Sequence, residues 1–223
     1  ALPTAAISGT NTICAGDNTT LTASGGNAYS WTLPNGGGTS SANPLNINNA
    51  TNANGGVYTV TVTNANNCTA VANTTVTVNA LPTATAGGAT VCVGDAINLT
   101  SSGGTTYSWS GSGITASTQN QQNPSIVAAT AGMAGIYTVT VSNGNCSSTA
   151  TTTVTVNANP VGAINGTLAF CEGGSTTLTA TGGSSYTWAG AGIGNANQAS
   201  QIISGLSNGS YPYNVTVSNG SCT

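Results

Sequence analysis

Tyr58-Thr-Val-Thr-Val62 recurs as Tyr137-Thr-Val-Thr-Val141 and again as Tyr213-Asn-Val-Thr-Val217. Each run alternates with period 2, the pattern of a strand with one buried face. Tyr58, Val60 and Val62 are expected to point inward, with Thr59, Thr61 and Thr63 facing water. A turn and a cysteine follow each run, at Cys68, Cys146 and Cys222, and two copies continue into another alternating run, Thr75-Val-Thr-Val78 and Thr153-Val-Thr-Val156. Upstream, Cys14, Cys92 and Cys171 each open a block, at steps of 78 and 79 residues. Gly16, Gly94 and Gly173 stand near the start of these blocks. Leu21, Leu99 and Leu178 come seven residues after the cysteine, then the glycine pairs 25–26, 103–104 and 182–183. Aromatic pairs fall in step after them: Tyr29 and Trp31, Tyr107 and Trp109, Tyr186 and Trp188. This is a tandem repeat.

Abundant β-branched residues, Gly/Asn turns and no helical periodicity make the chain all-β. The repeats are read as residues 1–79, 80–157 and 158–223, the last without its final strand. In repeat 1 the expected strands are A near 5–13, B near 19–24, C near 28–33, E near 44–49, F near 57–63 and G near 70–78. The Gly-rich stretch from Asn35 to Ser41 varies between copies and leaves the middle of the repeat undefined. The junctions Ala80-Leu81-Pro82 and Asn157-Ala158-Asn159-Pro160 are short and contain Pro. Short Pro-bearing junctions favour an extended rod over a flexible string.

Composition narrows the function. The chain has no Lys, Arg or His, and its only carboxylate side chains are Asp17, Asp95 and Glu172. Nucleic-acid affinity rests on Lys and Arg neutralising phosphates, and attraction to anionic lipid needs basic clusters, so neither partner is expected. With 38% hydrophobic residues and a net charge of −3 the chain does not read as disordered, and no run approaches the ~20 apolar residues of a membrane span. There is no initiator Met, signal peptide or sorting tail, so a processed product or a window of a longer protein is expected.

The series Leu21…Trp31…Tyr58-Thr-Val60 resembles the strand B, C and F core of immunoglobulin-like and PKD-like repeats. That resemblance implies β-sandwiches of about seven strands, with the Trp at the centre and Tyr58 as a tyrosine corner. The corresponding core sets are Leu99, Trp109 and Tyr137, and Leu178, Trp188 and Tyr213. More narrowly, C-x-G…L-T-A-x-G-G…Y-x-W…Y-T-V-T-V…C resembles repeats of large Bacteroidota surface proteins, a group that includes gliding-motility adhesins exported by the type IX system. The resemblance spans the whole chain and specifies architecture better than function.

The cysteines depart from the antibody pattern, in which a bridge joins strands B and F; Leu21 and Val60 occupy those places here. Six regularly placed Cys without His read as disulfides in an oxidising compartment. A zinc site lacks C-x-x-C spacing and any His. Because antiparallel strands alternate in direction, the A–B turn and the F–G turn fall at opposite ends of a sandwich. A strand spans ~17–20 Å, whereas bridged Cα atoms sit ~4.4–6.8 Å apart. Bridges between neighbouring repeats, Cys14–Cys146 and Cys92–Cys222, are therefore favoured, leaving Cys68 and Cys171 to pair elsewhere. Pairing within each repeat (14–68, 92–146, 171–222) stays open if strand A takes an unusual path.

No catalytic centre is expected. The three carboxylates fall one to a repeat, where a turn role beside Gly suits Asp17 and Asp95, and no cysteine has a neighbouring base. One carboxylate per junction makes a calcium site improbable, and without Lys no isopeptide crosslink can form. Thus neither metal nor cofactor is anticipated. The aromatic pairs suit a core better than sugar stacking, and the outward Thr rows follow from strand alternation alone. The expectation is a non-catalytic segment of an extracellular filament or adhesin stalk, with further repeats or identical subunits as partners. The alternative is a module binding glycans or surfaces through loops such as Pro34 to Asn43 and Ser112 to Asn123.

Overall fold

The computed structural model describes residues 1–223 and is all-β, its only helical elements being three single 3₁₀ turns. No helix is long and apolar enough to cross a membrane. The chain divides into two compact units. One holds Ala1–Thr85 with Ser102–Tyr107 and Thr140–Ala150; the other holds Ala86–Ser101, Ser108–Val139 and Thr151–Thr223.

In the first unit the strands of repeat 1 are β1 (Ala6–Ser8), β2 (Thr12–Cys14), β3 (Thr19–Ser24), β4 (Ala28–Thr32), β5 (Thr39–Ser40), β6 (Leu45–Ile47), β7 (Gly56–Thr63) and β8 (Thr69–Asn79). They form two sheets, ordered β1-β3-β6 and β2-β8-β7-β4-β5. Alternation sends Leu21 and Ala23 from β3, Trp31 from β4, and Tyr58, Val60 and Val62 from β7 into one shared core with Ile13, Leu45, Ile47 and Val76. A fully buried Trp such as Trp31 contributes about 3–5 kcal/mol, judged by what its truncation to Ala costs. The Thr residues of β7 are only partly exposed, because β7 is paired on both edges, with β4 and with β8.

Strand A is not the single strand expected over 5–13. It breaks at Gly9, whose φ is 136° and where a Cβ would strike the carbonyl of Thr20. Before the break, β1 runs antiparallel to β3; after it, β2 crosses to the other sheet and runs parallel to β8. The Gly-rich middle, undefined from the sequence, is resolved by the structure. It folds back so that Thr39 and Ser40 pair with Thr32 and Trp31, extending the sheet that holds strands C, F and G.

The glycine pair of each repeat has two distinct causes. Gly25 adopts φ 105° and a Cβ on it would strike the carbonyl of Thr4. Gly26 has ordinary dihedrals, but a Cβ there would stand 2.6 Å from the Thr63 carbonyl oxygen. Its tightness lets Tyr29 donate its hydroxyl to the Gly26 carbonyl at 2.8 Å, a bond repeated by Tyr107 to Gly104 at 2.8 Å and Tyr186 to Gly183 at 2.7 Å.

Repeat 2 supplies β9 (Thr85–Gly87), β10 (Thr90–Cys92), β11 (Ile97–Asn98), β12 (Thr100–Ser102), β13 (Thr106–Ser110), β14 (Ser125–Ile126), β15 (Gly135–Ser142) and β16 (Ser147–Asn157). Its sheets are ordered β12-β9, β11-β14 and β10-β16-β15-β13. Strand B is split here at Leu99, whose N–H donates to the Pro124 carbonyl at 3.0 Å, in register with the β11–β14 pair. The second half of strand A again runs parallel to strand G, Thr90–Cys92 beside Thr155–Asn157. Repeat 3 supplies β17 (Ala163–Asn165), β18 (Ser175–Thr181), β19 (Ser185–Ala189), β20 (Ser200–Ser204) and β21 (Asn214–Ser218), in sheets β17-β18-β20 and β19-β21. Leu178, Ala180, Trp188 and Ile203 form its core.

Candidate functional site: cysteine staples and the turns that present them

The two strand-A cysteines sit in one kind of turn. Asp17 accepts the Cys14 N–H on its carboxylate at 3.0 Å, while the Asp17 N–H donates to the Cys14 carbonyl at 3.0 Å. Asp95 and Cys92 repeat the exchange at 3.2 and 3.1 Å. Backbone bonds then clasp the turn to the loop before strand F: Gly16 N–H to Ala50 O and Ala50 N–H to Asp17 O, copied by Gly94 with Ala129 and Ala129 with Asp95. The Asp side chains therefore hold a turn, and they lie one to a repeat. In repeat 3, Gly174 takes the Asp place and its N–H still donates to the Cys171 carbonyl at 2.9 Å.

The strand-F cysteines sit in a second kind of turn, built by an asparagine. Asn64 accepts the N–H groups of Asn66 and Cys68 on Oδ1, at 3.0 and 3.1 Å. Asn143 does so for Asn145 and Cys146, at 3.3 and 3.0 Å, and Asn219 for Cys222 at 3.0 Å. The same amide donates from Nδ2 to the first residue of its own repeat or the residue at that junction: Asn64 to Ala1 O at 2.9 Å, Asn143 to Ala80 O and Asn219 to Ala158 O at 3.0 Å each. The amide accepts on one atom and donates from another, so an ionised Asp, which has no donor, would not substitute. The signal was in the sequence, since Asn64, Asn143 and Asn219 each follow a Val-Thr or Val-Ser pair in register, but the residue type reads as a generic turn former.

Between these turns the structure forms two disulfides, Cys14–Cys146 with Cα atoms 5.8 Å apart and Cys92–Cys222 at 5.7 Å. Both join the A–B turn of one repeat to the F–G turn of the next. No bridge forms within a repeat, and Cys68 and Cys171 are free. Each bridge stands over the end of a strand G. The Asn79 carbonyl accepts the Ala15 N–H at 2.8 Å and lies 3.8 Å from the Cys146 sulfur. The Asn157 carbonyl accepts the Val93 N–H at 3.0 Å and lies 3.9 Å from the Cys222 sulfur. Asn143 also bonds Ala80 and Ser148 bonds Pro82, in the same compact unit as the Cys14–Cys146 bridge.

Leu21, Trp31, Tyr58, Leu99, Trp109, Tyr137, Leu178 and Trp188 are buried, and Tyr213 is half-buried. Tyr58 and Tyr137 close tyrosine corners, donating to the carbonyls of Asn54 and Met133, each at 2.9 Å. Tyr213 instead reaches Ala191 O at 2.7 Å and precedes the start of β21, which leaves its ring less covered. Burial raises the phenol pKa of all three, and at Tyr213 the neighbouring Tyr211 adds to the rise. The indoles of Trp109 and Trp188 donate to Gln122 O at 3.2 Å and Gln198 O at 2.9 Å, whereas the buried Trp31 Nε1 has no partner. In the loop after Trp109, the hydroxyls of Thr115, Ser117 and Thr118 bond one another.

This arrangement of paired sheets has relatives among solved structures. The chain is similar to the N-terminal eight immunoglobulin domains of Down Syndrome Cell Adhesion Molecule isoform 1.30.30, with a TM-score of 0.51 and 18% identity over 93% of this chain and 35% of that one. The fold is that of tandem immunoglobulin-like domains. The I-band fragment I67-I69 of titin aligns with a TM-score of 0.49 and 12% identity, over 98% of this chain and 95% of that one. The three N-terminal domains of the Highly Immunogenic Outer Capsid protein of bacteriophage RB49 align with a TM-score of 0.34 and 19% identity, over 90% and 78%. No protein-family model and no curated protein sequence matches the chain.

The immunoglobulin-like fold is typically non-catalytic and carries its functions on grafted sites. The chemistry concentrated in this one is covalent crosslinking between repeats.

Proposed function

We propose that the chain is a load-bearing segment of an extracellular filament or adhesin stalk, in which immunoglobulin-like repeats 1–79, 80–157 and 158–223 supply length and the disulfides lock each repeat to its neighbour. The observation that carries this is the build of the staple: a sulfur bridge between the A–B turn of one repeat and the F–G turn of the next, made twice in the same way. A binding domain needs stability within itself, whereas a bridge between repeats resists bending and stretching of the array. Disulfides persist in oxidising compartments, which supports an extracellular or cell-surface setting. The surface built from Thr, Ser, Asn and Gly, without Lys or Arg, gives trypsin-like proteases nothing to cut. The motif resemblance favours a surface protein of the Bacteroidota type.

Immunogold electron microscopy with an antibody raised against the chain tests the proposal. Filaments labelled along their length are expected; label confined to isolated monomers would sink it. A second reading, glycan or surface binding by the loops Pro34 to Asn43 and Ser112 to Asn123, draws on the exposed amides of Asn120 and Gln121. Specific glycan-array binding by the chain would favour it.

A further inference from the structure

Asn143 and Asn219, which build the turns of Cys146 and Cys222, are each followed by a glycine, whereas Asn64 in repeat 1 is followed by Ala65. An asparagine side chain is open to attack at Cγ by the backbone nitrogen of the next residue, which closes a five-membered ring when the two groups meet. Glycine offers that nitrogen with no Cβ in the way and with a backbone free to bend toward the amide. The two glycines also serve the turn, at φ 98° for Gly144 and 97° for Gly220. Repeat 1 shows that glycine is not the only solution, since there the positive φ falls on Asn67, at 59°.

In the folded turn both reacting groups are engaged elsewhere. The Asn143 amide accepts the N–H groups of Asn145 and Cys146 on Oδ1 and donates from Nδ2 to Ala80 O at 3.0 Å. The attacking nitrogen is occupied as well, because the Gly144 N–H donates to Ser142 Oγ at 3.1 Å. Repeat 3 copies this: Gly220 donates to Ser218 Oγ at 3.1 Å, and the Asn219 amide holds Cys222 and Ala158. Asn208–Gly209 is a useful contrast. It lies in an exposed bend, and the Asn208 side chain takes part in none of these bonds.

We propose that Asn143–Gly144 and Asn219–Gly220 are latent deamidation sites, silent while the asparagine clasp is closed and reactive once the turn opens. The Gly144 nitrogen gives up its proton and bonds to Asn143 Cγ, the Cγ–Nδ2 bond breaks, and Nδ2 leaves with that proton as ammonia. Water then opens the succinimide at either carbonyl, yielding Asp or isoaspartate. Neither product, once ionised, can donate to Ala80 O, and isoaspartate adds a carbon to the backbone leading to Cys146. An opening of the turn therefore leaves a covalent mark that weakens its reclosure. This chemistry belongs to the turns themselves and does not depend on whether the chain builds a filament.

The test holds the full 223-residue chain at mildly alkaline pH, either folded and oxidised or unfolded in urea with a thiol reductant. Conversion at each asparagine is read by peptic mapping and mass spectrometry at low pH. Asn143 and Asn219 should convert at least about tenfold more slowly in the folded chain than in the unfolded one, because reaction waits on local opening. Asn208 should convert at similar rates in both, and Asn64 should stay slow in both. Ala65→Gly should make Asn64 behave as Asn143 does, slow when folded and fast when unfolded. Chains converted at Asn143, then refolded and reoxidised, should unfold at lower denaturant than chains refolded without ageing. Equal rates at Asn143 in folded and unfolded chains, Asn143 keeping pace with Asn208 in the folded chain, or an unfolding midpoint unmoved by conversion would overturn the proposal.

Discussion

Reducing the two bridges should more than double the length to which the chain can be pulled. With both bridges intact, the shortest covalent path runs thirteen peptide steps from Ala1 to Cys14, crosses to Cys146, returns fifty-four steps to Cys92, crosses to Cys222 and ends one step on at Thr223. That is sixty-eight steps, against 222 in the reduced chain. At roughly 3.4 Å per step, with the two bridges added, the stretched lengths are about 240 Å and about 750 Å. Single-molecule force spectroscopy with handles at both termini, with and without a thiol reductant, reads the difference directly. An oxidised chain that extends beyond about 400 Å, or equal extension in both conditions, would refute the staple as a mechanical element. The same loop sets a thermodynamic expectation. Closing 132 residues removes unfolded-state entropy worth at most about 5 kcal/mol. The double variant Cys14→Ser/Cys146→Ser should therefore lose roughly 2–5 kcal/mol in denaturant titration, and a midpoint unchanged from the oxidised parent would contradict the entropic account.

Three other outcomes follow from the turns and cores. Asn143→Asp keeps the acceptor for the Cys146 N–H but sets an oxygen against the Ala80 carbonyl where an N–H donated; a loss of about 1–3 kcal/mol is expected in chemical unfolding. Trp109→Phe should cost about 1 kcal/mol more than Trp31→Phe, because it loses the indole bond to the Gln122 carbonyl, which keeps only its bond from the Ser101 hydroxyl, while the Trp31 indole bonds nothing; equal costs in parallel melts would count against the assignment. The folded chain holds Tyr58, Tyr137 and Tyr213 protonated beyond their ordinary pKa of 10.0. The unfolded chain then releases these protons first as pH rises. Stability from this source is complete below about pH 10 and falls above it. Thermal melts between about pH 8 and about pH 12 should show the decline, flattened in Tyr58→Phe/Tyr137→Phe.

Much of the fold was legible in the residues because strand signals are local. Alternation in Tyr58-Thr-Val-Thr-Val62 specifies which face of β7 is buried whatever lies opposite, and the recurring Leu, Trp and Tyr mark the same core in each copy. The glycine pairs were visible as motifs, but their causes were not. One relieves a positive φ and the other a collision with a carbonyl thirty-seven residues away, between Gly26 and Thr63.

What depended on distant parts of the chain stayed open. Strand A was expected whole; its break at Gly9 follows from the nearness of Thr20, and it sends β2 to lie beside β8. That crossing carries Cys14 to the end of strand G, beneath the turn that bears Cys146. The asparagine clasp was missed because one amide joins a turn to a residue sixty-three positions earlier in Asn64 and Asn143 alike. Composition and periodicity determined a charge-poor, repeated β protein with cysteines at its turns. Strand direction already favoured Cys14–Cys146 and Cys92–Cys222, the bridges that form; pairing within a repeat stayed open until the path of strand A was known, since a bridge requires Cα atoms within ~7 Å and such proximity is a property of the whole path.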